Sequence, residues 1–383
     1  MSSSYLKIPT QNKVEECRVL GGIDTLYFFV DTVRSAKLYQ NLWSSVLNEQ
    51  FIRENYSFLS YSGKTSGFVG AWFSYRRNAV PLFRVGFKDP SKQKNVLNVQ
   101  VQLYASGIYY LGFFDLLNFI KFELSSLLQI DLEYSDFISS RLDLNAFIDG
   151  YDFSTIDPKM FRSRFTVSDV RNTSQMLYDL EDCSLYSKHS RVQTLYLGSR
   201  SSPLYFKIYD KRLEMISRYD QGGDLAFQST IKDAYFREHG LFSDHLWNAE
   251  FSIKREALKQ FGMFTVQDIF TFGNSVFKQL ATSCSFLGYD LDTIENAKKN
   301  NHISRLPVHP IWQKIIDDYD FFSGGVDAVR IYQTYKDITK EKSVLLIAKQ
   351  IKRQIDLDQG FSQREFNNIF YNYQNIIGDD KDA

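Results

Sequence analysis

Strict alternation of apolar and polar residues in short segments is the feature that most restricts how this chain can fold. Three segments alternate in this way, at 99–104, 141–148 and 247–254. A period of two is typical of a β-strand with one face in the core and one polar face. Because a single strand cannot bury its apolar face alone, these segments predict a sheet whose polar face is available for binding or chemistry.

Short apolar runs between turn residues predict further strands. They lie at 25–30, 194–197 and 204–209, and the last two form a hairpin across a turn rich in Gly, Ser and Pro. Apolar residues at helical spacing predict helices over 35–51 and 113–128.

Helical patterns resume from Lys211 and again beyond Lys254. This order of elements predicts an α+β fold with two lobes of mainly antiparallel sheet covered by helices, followed by a helical C-terminal tail. We expect an N-terminal lobe over 1–135, a second lobe over 136–320 and a tail of unknown role over 321–383.

Composition excludes several classes of protein. With 44% hydrophobic and 23% charged residues, the 383-residue chain is neither disordered nor collagen-like. Its richest apolar run, 108–130, is interrupted by three charged residues, so no membrane span is predicted. The first residues lack the pattern of a secretion signal, and three widely spaced cysteines argue against a disulfide framework or structural zinc. We therefore expect a cytoplasmic protein.

Charge is balanced overall but uneven along the chain. The 45 basic and 45 acidic residues sum to zero, whereas 188–218 holds seven basic and two acidic residues. Residues 129–157 reverse this, with seven acidic residues and one arginine. An acidic segment beside a basic one favours carboxylates that bind a cation and basic side chains that bind an anion. Two solvated surfaces without a ligand remain the alternative.

Several familiar sites are absent from the sequence. It contains no phosphate-binding P-loop, no dinucleotide-binding glycine motif, no nucleophile elbow and no zinc-protease motif. The five histidines include no pair separated by a single residue, so a metal-binding His-x-His strand is also excluded.

Polar residues on the predicted strands are the remaining candidates for a site. Asp143 and Glu250 each occupy a polar position between two apolar residues of an alternating segment, so both carboxylates are expected on the polar face of the sheet. Hard oxygen ligands on a rigid sheet suit Mg²⁺ or Mn²⁺. The alternative for each carboxylate is an ordinary ion pair with a neighbouring arginine or lysine.

Tyr196 is a candidate nucleophile. It lies on a third predicted strand and precedes a Gly-Ser-Arg turn beside the basic hairpin. A phenol with a pKa near 10 needs cations or a metal to stabilise its anion before it can attack. The alternative, for any one of 24 tyrosines, is packing.

The stretch that contains Tyr196 resembles a known family. Residues 194–214 read Thr-Leu-Tyr-Leu-Gly-Ser-Arg-Ser-Ser-Pro-Leu-Tyr-Phe-Lys-Ile-Tyr-Asp-Lys-Arg-Leu-Glu. This segment is similar to the central signature of the replication initiation factor family, which includes rolling-circle plasmid initiators and relaxases of some integrative conjugative elements. Two departures are Lys207, where the family more often has arginine, and Leu306, where an aromatic residue is usual.

Shorter motifs extend the resemblance over about residues 20–315. Arg141-Leu-Asp-Leu-Asn145 resembles the family's Arg-x-Asp strand, and 247–254 resembles its later strand with a glutamate. Residues 304–312 are similar to its Arg-Pro-Pro-Trp segment, and 99–107 to the strand and glycine turn before its first large helix.

The resemblance implies an enzyme that nicks and rejoins one DNA strand, with the nicking site in the second lobe. Tyr196 would attack a phosphodiester, become linked to the 5′-phosphate and leave a 3′-hydroxyl that primes synthesis. Arg200 and Lys211 would neutralise the developing charge. Asp143 and Glu250 would bind Mg²⁺ or Mn²⁺. Asp210 is a weaker third metal ligand, since alternation places it on the opposite face unless the strand ends there.

DNA is the implied partner, as an origin or nick site in single-stranded or cruciform form. Contacts to DNA are expected from Lys207, Arg212, Arg305 and Trp312, and the helical stretch 264–312 is a candidate for reading bases. The alternative for that stretch is packing under the sheet. A host helicase is a further candidate partner, and a second copy of the chain, as a homodimer, is another. No contact with a membrane is expected. Two other functions stay open: a relaxase of a mobile element, and a DNA-binding protein of this fold without catalysis.

Overall fold

The computed structural model describes residues 14–30, 36–46, 59–63, 70–78, 80–90, 98–163, 183–188 and 191–322. The chain divides into two compact units, 1–329 and 330–383, and all described residues belong to the first. Apart from 321 and 322, the predicted helical tail lies outside the described residues, as do both ends of the helix predicted over 35–51.

Ten of the twelve described strands form one antiparallel sheet. Its strands are, in spatial order, β2 (Leu59–Gly63), β3 (Gly70–Arg77), β4 (Val80–Lys88), β5 (Val99–Leu103), β1 (Arg18–Val30), β6 (Phe137–Asp149), β11 (Leu246–Lys254), β10 (Leu204–Asp210), β9 (Arg191–Leu197) and β8 (Cys183–Lys188). A second sheet pairs β7 (Phe161–Ser163) with β12 (Cys284–Phe286).

Nine α-helices lie within the described residues. They are α1 (Ala36–Val46), α2 (Ala105–Leu111), α3 (Phe113–Leu128), α4 (Lys211–Asp220), α5 (Gly223–Glu238), α6 (Arg255–Gln260), α7 (Val266–Ser283), α8 (Leu291–Lys299) and α9 (Pro310–Asp318). No described helix combines the length and the apolar character that a membrane crossing requires. The predicted α+β class is confirmed, since helices cover an antiparallel sheet.

The sheet is continuous through its two longest strands, β1 and β6. These 13-residue strands pair from Arg18 with Asp149 to Val30 with Phe137. The predicted lobe boundary between residues 135 and 136 lies just before β6, so strands from both sides of it share one sheet. The division into two lobes stays a prediction.

The two faces of the sheet differ as the alternation predicts, but both are largely covered. On the apolar face, Leu142, Leu144 and Ala146 of β6 have no exposed surface and join the main core. On the polar face, a smaller core of Tyr109, Phe147, Met215, Phe236, Leu241 and Leu246 joins α2, α4 and α5 to the sheet. The polar face, expected to be exposed to solvent, is therefore covered by helices at one end, and Asp143 and Asn145 on this face are buried.

Candidate active site

Four polar residues lie side by side across the polar face of the sheet. Asn145 on β6 pairs with Glu250 on β11, Glu250 pairs with Lys207 on β10, and Lys207 pairs with Tyr196 on β9. Directly paired residues in antiparallel strands hold their side chains within contact distance. The register therefore places the predicted nucleophile next to Lys207 and two strands from Glu250.

A cleft of about 480 Å³ opens beside this row. Tyr196, Lys207 and Tyr209 line it from the sheet, while Lys211 and Lys232 line it from α4 and α5. Asp143 and Glu250 have 1% and 0% of their surface exposed, and neither lines the cleft. A ligand in the cleft therefore meets a phenol and several cations, but neither of these two carboxylates.

Arg200 is stacked on the ring of Tyr196. Its guanidinium carbon lies 4.1 Å from the ring centre. The intervening turn needs the left-handed backbone of Gly198 (φ 86°) and is fixed by Lys254, whose Nζ donates to the carbonyl oxygens of Arg200 at 2.7 Å and Ser201 at 2.8 Å. The turn thus holds a cation against the half-buried phenol.

Lys207 and Glu250 form a buried ion pair. The Lys207 Nζ lies 2.8 Å from the Glu250 Oε1, with Glu250 fully buried and 20% of the Lys207 side chain exposed. Burial raises the pKa of Glu250, against the opposing charge of Lys207. Burial alone would lower the pKa of Lys207, but the charge of Glu250 reverses this and raises it. The pair therefore holds the ammonium group charged beside Tyr196.

Asp143 is held by a bidentate contact with Arg141. The Arg141 Nε donates to Oδ1 at 3.0 Å and its Nη2 donates to Oδ2 at 2.6 Å. Burial raises the pKa of Asp143, and the guanidinium of Arg141 opposes the rise. Both oxygens of this carboxylate thus already have a cationic partner.

The predicted metal ligands do not form a metal site as the structure places them. Asp210 pairs with Trp247 at the end of β10, on the opposite face from Lys207, and its side chain accepts from the Leu213 N–H at 2.8 Å. We correct its role to that of an N-cap for α4. Within the described residues, no three His, Cys, Asp or Glu side chains are grouped to hold a metal ion. The carboxylates present thus do not fit the expected Mg²⁺ or Mn²⁺ in this arrangement.

Asp24 lines the cleft and was not among the predicted site residues. A bulge in β1 between Ile23 and Thr25 shifts the register and sets Asp24 apart from the regular pairing. Its charge acts on Lys207 and Lys211. The glycines at 21 and 22 suggest a turn, so the sequence pattern starts the strand only at Thr25, and the bulge has no separate signal.

Tyr209 is bonded from two sides. Its phenolic oxygen accepts from the Asn248 Nδ2 at 2.8 Å and from the Lys211 Nζ at 3.2 Å. Asn248 in turn accepts from the Asn145 Nδ2 at 2.9 Å. Burial raises the pKa of Tyr209, so its phenol is harder to ionise than usual. These bonds tie Lys211 to the row of polar residues.

Three cations surround Glu214 on the helical wall of the cleft, and we call this group the α4–α5 cation cluster. Lys211 lies 2.8 Å from the carboxylate, Arg218 2.7 Å and Lys232 3.1 Å. Although burial raises the pKa of Glu214, the three cations outweigh it and hold the pKa well below its ordinary value. Burial and then the charge of Lys211 lower the pKa of Lys232 to about 8.

The depressed pKa of Glu214 predicts an acid-dependent part of the stability. A carboxyl group whose pKa is lower in the folded state stabilises the fold above its unfolded pKa, here about 4.5, and loses that contribution as the pH falls towards its folded pKa. We expect Glu214→Gln to lower the free energy of unfolding in urea at neutral pH. The difference from the unsubstituted protein should shrink between about pH 5 and about pH 3. A difference that stays constant over that range would contradict the assignment.

Two further predicted DNA contacts, Arg212 and Arg305, differ in whether they are bonded within the fold or exposed. Arg212 is bonded to Asp233 at 2.9 Å and to the Ser243 carbonyl at 3.0 Å, so it ties α4 to α5. Arg305 is exposed in a short 3₁₀ helix, Ile303–Arg305, and stays a candidate.

Trp312 is corrected from a DNA contact to a core residue. It has no exposed surface, and its indole N–H donates to the Ala281 carbonyl at 2.9 Å. Its ring meets Phe161 and Phe206 edge to face. One face of α7 is buried in the same core, through Val266, Ile269, Val276, Phe277, Leu280 and Ala281. For this part of 264–312 the structure therefore shows packing under the sheet.

Comparison with known proteins adds little at the level of sequence. No protein-family model matches the chain, and no curated protein sequence matches it. Four solved chains match in structure. One is a rolling circle replication initiator protein from Geobacillus stearothermophilus, with 12% identity and a TM-score of 0.42, covering 79% of this chain and 96% of that chain.

Proposed function

We propose that this protein nicks and rejoins one DNA strand at a specific site through Tyr196 and so initiates rolling-circle replication. The observation that carries the proposal is a half-buried phenol at a cleft with cations on several sides. Arg200 stacks on its ring, Lys207 pairs with it across the strands, and Lys211 lines the same cleft. Such surroundings favour the binding of an anionic phosphate beside the phenol.

The proposed reaction is a transfer of the phosphodiester between two oxygen atoms. Tyr196 Oη attacks the phosphorus, so an Oη–P bond forms and the P–O3′ bond breaks. The phenolic proton leaves to solvent, and the 3′-oxygen takes up a proton to become a hydroxyl. One strand end then carries a 3′-hydroxyl and the other is linked to Tyr196 by its 5′-phosphate. Attack by a 3′-hydroxyl on this linkage reverses the steps and rejoins the strand.

The chain's own cations have defined tasks in this reaction. Arg200, stacked on the ring of Tyr196, and Lys207, on the neighbouring strand, compensate negative charge that develops during the attack, and Lys211 compensates charge on the phosphate oxygens. Asp143 and Glu250 hold Arg141 and Lys207 in place. A requirement for Mg²⁺ or Mn²⁺ stays a prediction, and no step is assigned to a metal because the carboxylates already have cationic partners.

The proposal is tested with supercoiled plasmid that contains the protein's own gene and its flanks. We expect a nicked circle with protein attached to one 5′-end after denaturation. Binding to this DNA with the plasmid left supercoiled would instead identify a DNA-binding protein without catalysis. A relaxase performs the same chemistry, so mapping the nick to a replication or a transfer origin separates these two.

The position of the DNA is tested by the salt dependence of binding. Each phosphate neutralised by a side chain adds about 0.7 to the slope of log affinity against log salt for a single strand. We expect Arg200→Ala to lower the slope by about this amount. The control is Lys314→Ala. Lys314 pairs with Asp318 on α9, a helix that packs on the apolar face of the sheet. An equal effect of both substitutions would place the DNA elsewhere.

A further inference from the structure

The α4–α5 cation cluster has more positive than negative charge. Lys211, Arg218 and Lys232 all lie within 3.1 Å of the single carboxylate of Glu214. The two lysine side chains are 2% and 4% exposed, so water solvates their charges poorly. Burying an ammonium group is costly unless an anion accompanies it, and here one carboxylate serves three cations. The cluster is therefore two negative charges short of balance.

Neighbouring groups do not remove this excess. Among the described residues, Asp24 is the other acid that lines the cleft, and its single charge acts on Lys211 and Lys232 of the cluster and also on Lys207, so it offsets only part of the excess. Tyr209, whose phenolic oxygen accepts from Lys211, is a neutral group. An additional anion in the cleft would thus be attracted to the cluster.

The cluster faces the cleft rather than the interior between α4 and α5. All four of its charged residues line the cleft that also contains Tyr196. Thr194 and Gln228 line the same space and carry neutral hydrogen-bond donors. Buried cations with neutral donors around them are the surroundings in which phosphate oxygens bind well.

From this geometry we propose that the α4–α5 cation cluster is a second phosphate-binding subsite, which takes a backbone phosphate next to the one that Tyr196 attacks. The inference rests on the proposed function for its substrate, a single DNA strand. Lys211 borders both positions, and Arg218 and Lys232 belong to the second alone. The subsite would fix the strand on both sides of the reacting bond and so orient the scissile phosphate towards the phenol.

The test measures binding of a fluorescent oligothymidylate to protein that carries Tyr196→Phe, so that no cleavage interferes. Arg218→Met and Lys232→Met keep the length of the side chain and remove its charge. We expect each to lower the salt slope of binding by about 0.7. The matched control is Arg237→Met on α5, where the arginine is paired with Asp233 and does not line the cleft.

A merely structural cluster gives a different result. If Glu214 and its cations only fasten α4 to α5, Lys232→Met lowers the melting temperature and leaves the salt slope equal to that of the Arg237→Met protein, which overturns the inference. Should Lys232→Met fail to fold, Arg218→Met decides, because 41% of this side chain is exposed and its loss is tolerable.

Removing the carboxylate gives a second readout of opposite sign. Glu214→Gln takes away the anion that competes with phosphate, so DNA affinity at low salt should rise about five-fold, the effect of one unit charge at about 4 Å in water. Unchanged or weaker binding by a folded Glu214→Gln protein would overturn the subsite. A covalent adduct in protein with Tyr196 intact, together with unchanged slopes, would reject the subsite and retain the proposed function. Changed slopes without any adduct would retain the subsite and reject the proposed function.

Discussion

Tyr196→Phe is expected to abolish strand cleavage and the covalent protein–DNA adduct while DNA affinity stays nearly unchanged. The substitution removes one oxygen atom and leaves the ring on which Arg200 stacks at 4.1 Å. The backbone pairing of β9 with Lys207 is also retained. The measurement is a denaturing gel of labelled single strands, in which the adduct migrates as a protein band.

Tyr209→Phe is the matched control for this prediction. Tyr209 lies on the neighbouring strand and lines the same cleft, so it is the nearest rival nucleophile. Its oxygen is engaged by Asn248 and Lys211, and burial raises its pKa, which disfavours the phenolate. We expect slower cleavage with the adduct still formed. An adduct in the Tyr196→Phe protein and none in the Tyr209→Phe protein would reverse the assignment.

Three candidate residues could be assigned to the polar face from the sequence, because alternation fixes which face of a strand each side chain occupies. Asp143, Glu250 and Tyr196 each stand between two apolar residues, and all three lie on the polar face as predicted. Their order across the sheet could not be obtained in this way. It depends on the pairing register, which places Lys207 between Glu250 and Tyr196 and follows from contacts far apart in the chain.

Burial of the polar face was also beyond the sequence pattern. Alternation predicts that Asp143 faces away from the main core, but not that this residue is buried or that α2, α4 and α5 pack on one end of the polar face. Once water is excluded, each carboxylate needs a partner, and Arg141 and Lys207 supply it. For these carboxylates the sequence left open an ordinary ion pair as the alternative to a metal site. The structure contains such pairs, Arg141 with Asp143 and Lys207 with Glu250.

The sequence pattern was wrong in opposite ways at two residues: it assigned Trp312 to a DNA surface, and it left Asp24 out of the site. An aromatic residue beside basic ones suits a DNA surface as well as a core, and the long-range contact of Trp312 with Ala281 decides for the core. Asp24 precedes the apolar run that predicts its strand. It lines the cleft at a bulge of β1, and the sequence pattern does not signal that bulge.

Glu250→Gln is expected to reduce cleavage by about 10²-fold, in line with the loss of one principal electrostatic contact. The amide keeps the size of the side chain but leaves the Lys207 ammonium without its anion. Because the pair is buried, the free energy of unfolding should fall by about 3 kcal/mol, the lower end for a broken buried pair. We place it there because 20% of the Lys207 side chain is exposed. Urea unfolding and cleavage of a labelled strand measure the two effects.

Two further variants separate the roles of Glu250. The double substitution Glu250→Gln with Lys207→Met removes both charges, so stability should return to within about 1 kcal/mol while cleavage stays low. Lys207→Arg keeps the charge beside Tyr196 and should retain most of the cleavage. If Glu250 acts by positioning Lys207, the concentration of Mn²⁺ that gives half-maximal cleavage is the same for Glu250→Gln and the unsubstituted protein. A large rise in that concentration would instead make Glu250 a metal ligand, as the sequence predicts, and would require the ion pair with Lys207 to open when the metal binds.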